Sequence, residues 1–390
     1  MPNPIYIVQI TDLHLGKSDV NFTEIKQNIL THIRNFIEWK SISAIDMVVT
    51  TGDLMDKNGS NKSHNLAIDL LENIRDQFFK DNTKLFCTPG NHDLYDDFVK
   101  SLLEVNKLKE DYLKSKIDAI TFSEIVDESK EKLIEAYKFY LEFMQAIKAN
   151  NYKGHENIES LTGCEQIGIG QNYNILLSWI NSSWLCMRDE TWNESCKLEL
   201  KFKYNNFDHE RISIGNKLMD PICEKLNLAD NNNIILTIAI SHHDPKLLCY
   251  EDKTNYFHKL LGHNIVLNGH THNSLFDVPF LTTGDDFISI IEVNLNQKCN
   301  IHYKLNLKGD DIFNIEKIIK NRKLTIFNNK YEDFILKLRS HYQINDLLSD
   351  IQWNKNELVE FAQELRIKYE KPKLNIPEIL DYDLEQRSKI

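Results

Sequence analysis

Asp12 and His14 stand two residues apart in TDLHLG, directly after the apolar run Ile5–Ile10. Four more polar clusters follow apolar runs in the same way: Gly52, Asp53 and Asp56 in TGDLMD; Gly90, Asn91, His92 and Asp93 in PGNHD; His242 and His243 in SHHDP; and Gly269, His270 and His272 in NGHTH. Carboxylates, imidazoles and an amide oxygen form a hard-to-borderline donor set for divalent ions such as manganese, iron or zinc, and no thiolate joins them. Ligands of α/β sheets gather at the carboxyl ends of strands, where all five clusters fall. Two cations a few ångströms apart need a shared anion, and a carboxylate at a strand tip supplies both oxygens. Gly52, Gly90 and Gly269 let the backbone turn sharply and bring such ligands inward.

Taken singly, each of these histidines reads more readily as a satisfied structural residue, and a lone D-x-H arises by chance. The joint order of the clusters does not. His243 adjoins His242, so a single ligand at this place is either of them; His242 is favoured because it comes first after the strand. His64, His155, His209, His258 and His263 have no motif around them and read as surface or satisfied core residues. Trp179, Trp184 and Trp192 lie in or near the strand-like stretch LLSWINSSWLCMRDETW and read as core, not as base-stacking platforms.

The elements that must position these clusters alternate in type. Strands are predicted at Ile5–Ile10, Ala44–Thr51, Lys84–Thr88, Ile234–Ser241 and Ile265–Asn268, with helices over Phe22–Lys40, Ser63–Lys80 and near Thr254–Leu261. That rhythm argues for a layered α/β domain. Between Asp285 and Leu307, FISIIEVNLNQKCNIHYKLNL reads as two antiparallel strands. Residues Asp96–Asn151 are charge-rich and helical in pattern, an insertion after the third strand whose simplest reading is a solvated helical face. The tail from about Asp311 also reads helical, including Tyr331–His341 and Lys355–Lys368. The expected division is a domain over 1–308, with the insertion at about 96–151, and a helical extension over 309–390.

Composition narrows the class. Hydrophobic residues at 42% and charged residues at 27% describe an ordinary globular chain. The formal net charge of -12 advertises no broad basic face for long duplex DNA. Seven scattered cysteines, an odd number with no C-x-x-C pair, read as reduced residues. The start MPNPIYIVQI has no basic region followed by a long apolar stretch, and no run approaches membrane-helix length. The expectation is a cytoplasmic protein with no membrane partner.

The series D-x-H, G-D-x-x-D, G-N-H-D, H and G-H-x-H resembles the calcineurin-like metallophosphoesterase family over roughly residues 5–308. The resemblance implies a β-sandwich flanked by helices with a dinuclear site on one edge. It implies that Asp12, His14 and His272 hold one metal, that Asn91, His242 and His270 hold the other, and that Asp53 bridges them. It further implies two divalent ions, manganese first, with iron, zinc or nickel as alternatives, and a water activated by both as nucleophile. His92 is then the catalytic group that faces substrate, stabilising phosphoryl charge or protonating the leaving oxygen, and Asp93 hydrogen-bonds its ring.

Within the family, D-L-H-L-G with G-D-L-M-D looks like the exonuclease branch typified by SbcD-type nucleases. Tyr95 stands where cyclic-nucleotide phosphodiesterases often carry arginine, and the arginine clamps of phosphoprotein phosphatases are not visible beside GDLMD or GNHD. The first expectation is therefore a phosphodiesterase acting on nucleic acid or nucleotides. A phosphomonoesterase on a small molecule or protein is the alternative, and a scaffold that keeps the fold is a third. The amphipathic runs of the tail suggest a protein partner or self-association.

Overall fold

The computed structural model describes residues 4–56, 61–94, 130–169, 173–184, 186, 214–228, 234–243, 247, 263–270, 276–277, 280–283, 287–294, 299–307 and 314–320. The expected helices near 254–261, 331–341 and 355–368, the first part of the insertion, and Trp192, His209, His258 and His272 lie outside these residues.

Two six-stranded sheets face each other. The first contains β1 (Ile5–Ile10), β2 (Met47–Thr51), β3 (Lys84–Thr88), β10 (Phe287–Asn294), β11 (Cys299–Asn306) and β12 (Asn314–Lys320), in the order β12-β11-β10-β1-β2-β3. The second contains β4 (Gly163–Ile169), β5 (Tyr173–Ile180), β6 (Ile234–Ser241), β7 (Ile265–Asn268), β8 (Phe276–Asp277) and β9 (Phe280–Thr282), in the order β4-β5-β6-β7-β9-β8. β1, β2 and β3 run parallel, as do β5, β6, β7 and β9. β10 turns antiparallel to β1 and pairs antiparallel with β11.

The period-2 side-chain alternation of a strand explains the layers. On β1, Ile5 and Ile7 enter the core between the sheets with Met47, Val49, Phe86, Leu177, Trp179, Ile238 and Ile240. Tyr6, Val8 and Ile10 point the other way, into the core beneath the helices. There α1 (Phe22–Lys40) buries Ile29, Leu30, Ile33 and Phe36, a stripe at helical spacing, and Asn21 caps its start by accepting from the Glu24 amide. α2 (Asn61–Phe78) adds Ala67, Leu70, Leu71, Ile74 and Phe78 to the same layer.

α3 (Lys138–Ala146) corrects the picture of a solvated insertion. Residues 130–136 before it are helical too, and together the two segments bury Leu133, Ile134, Tyr137, Tyr140, Leu141, Phe143 and Met144 in the main core. The insertion then returns to the edge of the first sheet. Leu85 N and O pair with Asn150 Oδ1 and N at 2.7 Å each, and Asn151 Nδ2 donates to Cys87 O at 2.7 Å. Asn151 Oδ1 accepts from Cys87 N at 3.1 Å, so two asparagines cover the open edge of β3 as a further strand would. On the second sheet, α4 (Asn216–Asn227) buries Met219, Ile222 and Cys223, and its Lys225 Nζ reaches Cys164 O on β4 at 2.8 Å.

The tail departs from expectation. Asn314–Lys320 is a strand, paired antiparallel with β11, where a helical extension was anticipated; it carries the first sheet past residue 308. NIEKIIK places apolar residues at spacings that both a strand and a helix accept, and the open edge of β11 decides for the strand. Among the described residues no helix is long and apolar enough to cross a membrane.

Candidate metal centre

The loops after β1, β2, β3, β6 and β7 meet at one edge of the sandwich, and backbone hydrogen bonds tie them in pairs. Asp12 N donates to Gly52 O at 3.1 Å and His14 N to Asp53 O at 3.0 Å, joining the first two loops. Gly269 N donates to His242 O at 2.9 Å, joining the last two. Gln9, fully buried, crosses between the sheets: its Nε2 donates to Asn268 O at 2.7 Å and to Thr51 Oγ1 at 3.0 Å.

Four of the sequence-predicted residues hold left-handed backbone angles: Asp12 (φ 52°), His14 (φ 45°), Asp53 (φ 53°) and His270 (φ 68°). Non-glycine residues rarely adopt this conformation, and it persists where surrounding contacts over-determine it. The contacts here are the loop pairings and the close glycines. A Cβ on Gly52 would lie 2.6 Å from His242 Nδ1 and 2.5 Å from Gly90 N, and one on Gly90 would strike Asp53 Oδ1.

Asp53 is central. Its Oδ1 accepts from His92 N at 2.8 Å and its Oδ2 lies 3.3 Å from His242 Nε2. His242 Nδ1 meets Thr51 O at 2.7 Å, a bond in which the ring nitrogen donates and Nε2 is turned toward Asp53, Asn91 Oδ1 at 3.0 Å and His270 Nδ1 at 3.2 Å. Asp12 Oδ2 accepts from His270 N at 2.9 Å and from Thr11 Oγ1 at 2.5 Å. Three overlapping sets bring one ligand atom from each member within 4.8 Å of the others: Asp12, Asp53 and His242; His14, Asp53 and His92; and His242, His243 and His270.

Charge in this edge is tightly constrained. Burial pushes Asp12 up to about 6, with Asp53 adding to the rise and His242 and His14 opposing it. Burial acts the same way on Asp53, but His242, His92 and His14 outweigh it and hold the carboxyl well below its ordinary range. For His242, burial favours the neutral ring, yet Asp53 and Asp12 prevail and raise it to about 9.

The residues fit divalent ions. The centre offers carboxylate, imidazole and amide donors. His14 Nδ1 is buried without a hydrogen-bond partner among the described residues, which suits a metal and wastes a donor otherwise. His242 shows the further sign that an imidazole at a metal gives its other N–H to a backbone carbonyl.

One sequence-based expectation changes. Asp93 does not bond the His92 ring: its Oδ2 accepts from Gly90 N at 2.8 Å and Asp53 N at 3.0 Å, so it holds two site loops by their backbones. Asp56 Oδ1 lies 3.9 Å from His92 Nδ1, and Asp53 offers a carboxylate oxygen within 4.8 Å of the same ring. The ring of His243 meets Ser182 Oγ at 2.9 Å and Cys186 Sγ at 3.8 Å, while it also belongs to the set with His242 and His270.

Sequence reading missed the loop Asn181–Ser182–Ser183 after β5. Ser182 holds His243, and Ser183 Oγ reaches Pro89 O at 3.4 Å. The signal was present: polar residues directly after the apolar strand LLSWI, the pattern of the other five clusters. His263 is buried and bonded to Ser178 Oγ at 2.9 Å, His155 meets Gln145 Oε1 at 2.7 Å, and Trp179 and Trp184 are buried, all as structural residues.

The family described as calcineurin-like phosphoesterase matches residues 5–274. No curated protein matches the sequence. Among solved structures, GAP50, described as the anchor in the inner membrane complex of Plasmodium, is similar at 12% identity and a TM-score of 0.40, covering 83% of this chain and 90% of that one. The purple acid phosphatase PPD1 of yellow lupin (Lupinus luteus) is similar at 10% identity and a TM-score of 0.45, covering 82% of this chain; the chain spans 54% of the lupin protein's length. TT1561 of Thermus thermophilus is similar at 10% identity and a TM-score of 0.39, covering 78% of this chain and 100% of that one.

Proposed function

Because the chain belongs to the calcineurin-like phosphoesterase family, a family of hydrolases that act on phosphoester bonds with two divalent metals, we propose that it cleaves phosphodiesters of nucleic acid or nucleotides. The observation that carries this reading is Asp53, buried between the His242 ring on one oxygen and the His92 amide on the other. In the proposed assignment Asp12, His14 and His272 would hold one ion and Asn91, His242 and His270 the other, with Asp53 serving both. When bound, two such ions polarise phosphoryl oxygens and supply a hydrolytic water near neutral pH. His92, next to the proposed ligand Asn91, hydrogen-bonds the phosphoryl oxygen or gives a proton to the leaving oxygen. Asp93 keeps the loops of Asp53 and Asn91 in register from behind.

The choice of diester over monoester is supported by charge. No lysine or arginine stands within GDLMD or GNHD, the motifs that carry Asp53 and His92. A singly charged diester needs no guanidinium clamp, whereas a dianionic monoester is best met by one. Manganese is the proposed ion, and the buried thiols of Cys87, Cys164, Cys186 and Cys223, none of them in a disulfide, support a reducing, cytoplasmic setting. Rates on bis(p-nitrophenyl) phosphate and p-nitrophenyl phosphate with added manganese test the reading, followed by a panel of single-stranded DNA, duplex DNA, RNA and cyclic nucleotides. Faster turnover of the diester with cleavage of at least one nucleic acid or nucleotide is expected. Preference for the monoester with no cleavage across the panel overturns it.

A further inference from the structure

We infer that Ser182 and His243 form a positioning pair behind the metal centre, in which the serine sets the tautomer of the ring and the ring braces His270. Both residues are 1% exposed. His243 N donates to Ser182 Oγ at 3.0 Å, so the hydroxyl oxygen accepts there. The hydroxyl proton then has one acceptor among the described residues, His243 Nδ1 at 2.9 Å. The reverse tautomer, with Nδ1–H donating, leaves that buried proton without an acceptor among the described residues, a costly arrangement. His243 therefore carries its proton on Nε2, directed at Cys186 Sγ 3.8 Å away, while the thiol lies 3.8 Å from Ser182 O. Both ring nitrogens of His243 thus have partners in the segment Ser182–Cys186.

What remains is the face of the ring. It lies 4.3 Å from the His270 ring, centroid to centroid, and 4.7 Å from that of His242. His270 occupies a left-handed backbone position, which something must hold. The locked His243 ring supplies a wall on one side, and the Asp12 carboxylate that accepts the His270 amide supplies the other constraint. Groups that orient ligands without touching the ion commonly change metal affinity by ~10–100-fold when removed.

The inference rests on the two-metal reading, and its test separates the two. Ring nitrogen NMR of the protein stripped of metal is expected to show His243 as the Nε2–H tautomer. Manganese titration calorimetry is expected to show affinity lowered roughly 10–100-fold in Ser182→Ala and His243→Ala, and restored in Ser182→Thr, which keeps the hydroxyl. An Nδ1–H tautomer in the unmodified protein overturns the pair without any variant. So does unchanged affinity in Ser182→Ala, or a thermal midpoint that falls while affinity holds, since that marks a merely structural contact. An unmodified protein that binds no manganese instead overturns the metal reading itself, and the bracing role with it, whatever the tautomer.

Discussion

Asp53 Oδ2 and His242 Nε2 stand 3.3 Å apart although Asp53 follows β2 of the first sheet and His242 follows β6 of the second. The contact closes one edge of the sandwich and makes the charge of each residue depend on the other. Much of what the centre does follows from that dependence.

Asp53→Asn removes the anion proposed to serve both ions. Metal analysis of the purified variant should show both proposed sites depleted, with turnover falling along with occupancy. Full occupancy and normal turnover would sink the bridging role.

Metal binding should release protons. His242 must be neutral to ligate, but in the metal-free centre Asp53 and Asp12 outweigh burial and hold it charged up to about 9. Manganese affinity should therefore climb with pH through the neutral range, by about tenfold per unit for each proton displaced. Stability of the metal-free protein runs the other way. The folded-state value lies above the ordinary 6.5, so the contribution of the charged ring is complete below that and is lost as pH rises through about 9. Calorimetry at about pH 7.5 in buffers of different ionisation enthalpy reads the released proton directly, and an enthalpy independent of buffer contradicts this.

His92→Ala should keep metal content while slowing turnover by ~10²–10⁴-fold, as removal of a general acid or base does. Asp56→Asn should reproduce part of that loss, because Asp56 Oδ1 lies 3.9 Å from His92 Nδ1. His92 also stands within 4.8 Å of His14 and Asp53 as a ligand set. Loss of one equivalent of metal in His92→Ala would make it a ligand and reverse its proposed role.

Gly90→Ala should damage the centre through shape alone. The new methyl would press on Asp53, whose amide nitrogen would lie 2.6 Å from it. Overpacking of this kind costs about 1–3 kcal/mol. A lowered denaturant midpoint together with depleted metal is the expected result; wild-type values for both would show that the loop yields freely.

Two truncations separate the tail from the sheet. Cutting after Lys320 keeps β12 and should leave manganese binding intact while changing the oligomeric state, if residues 321–390 serve a partner. Cutting after Leu307 strips β12 from β11 and exposes a strand edge, which favours aggregation. A product ending at Lys320 that aggregates and binds no metal would place the tail within the fold.

The sequence by itself determined the strands and the chemistry at their tips. Ile5–Ile10, Lys84–Thr88, Ile234–Ser241 and Ile265–Asn268 are observed with the bounds read from the chain, and α1 spans Phe22–Lys40 as read. Such elements are legible because alternation, helical spacing and turn residues are local, encoded within about a dozen neighbours. Tertiary structure decided what depends on residues far apart in the chain. Ser182, 61 positions from His243, binds that ring, while His242 faces Asp53. Asp93 does not take the part expected of it because Asp53 N, 40 positions away, claims its carboxylate. NIEKIIK became a strand because β11 offered an unpaired edge. In each case several partners suit the same side chain or segment, and packing two sheets against each other decides which of them come within hydrogen-bonding distance.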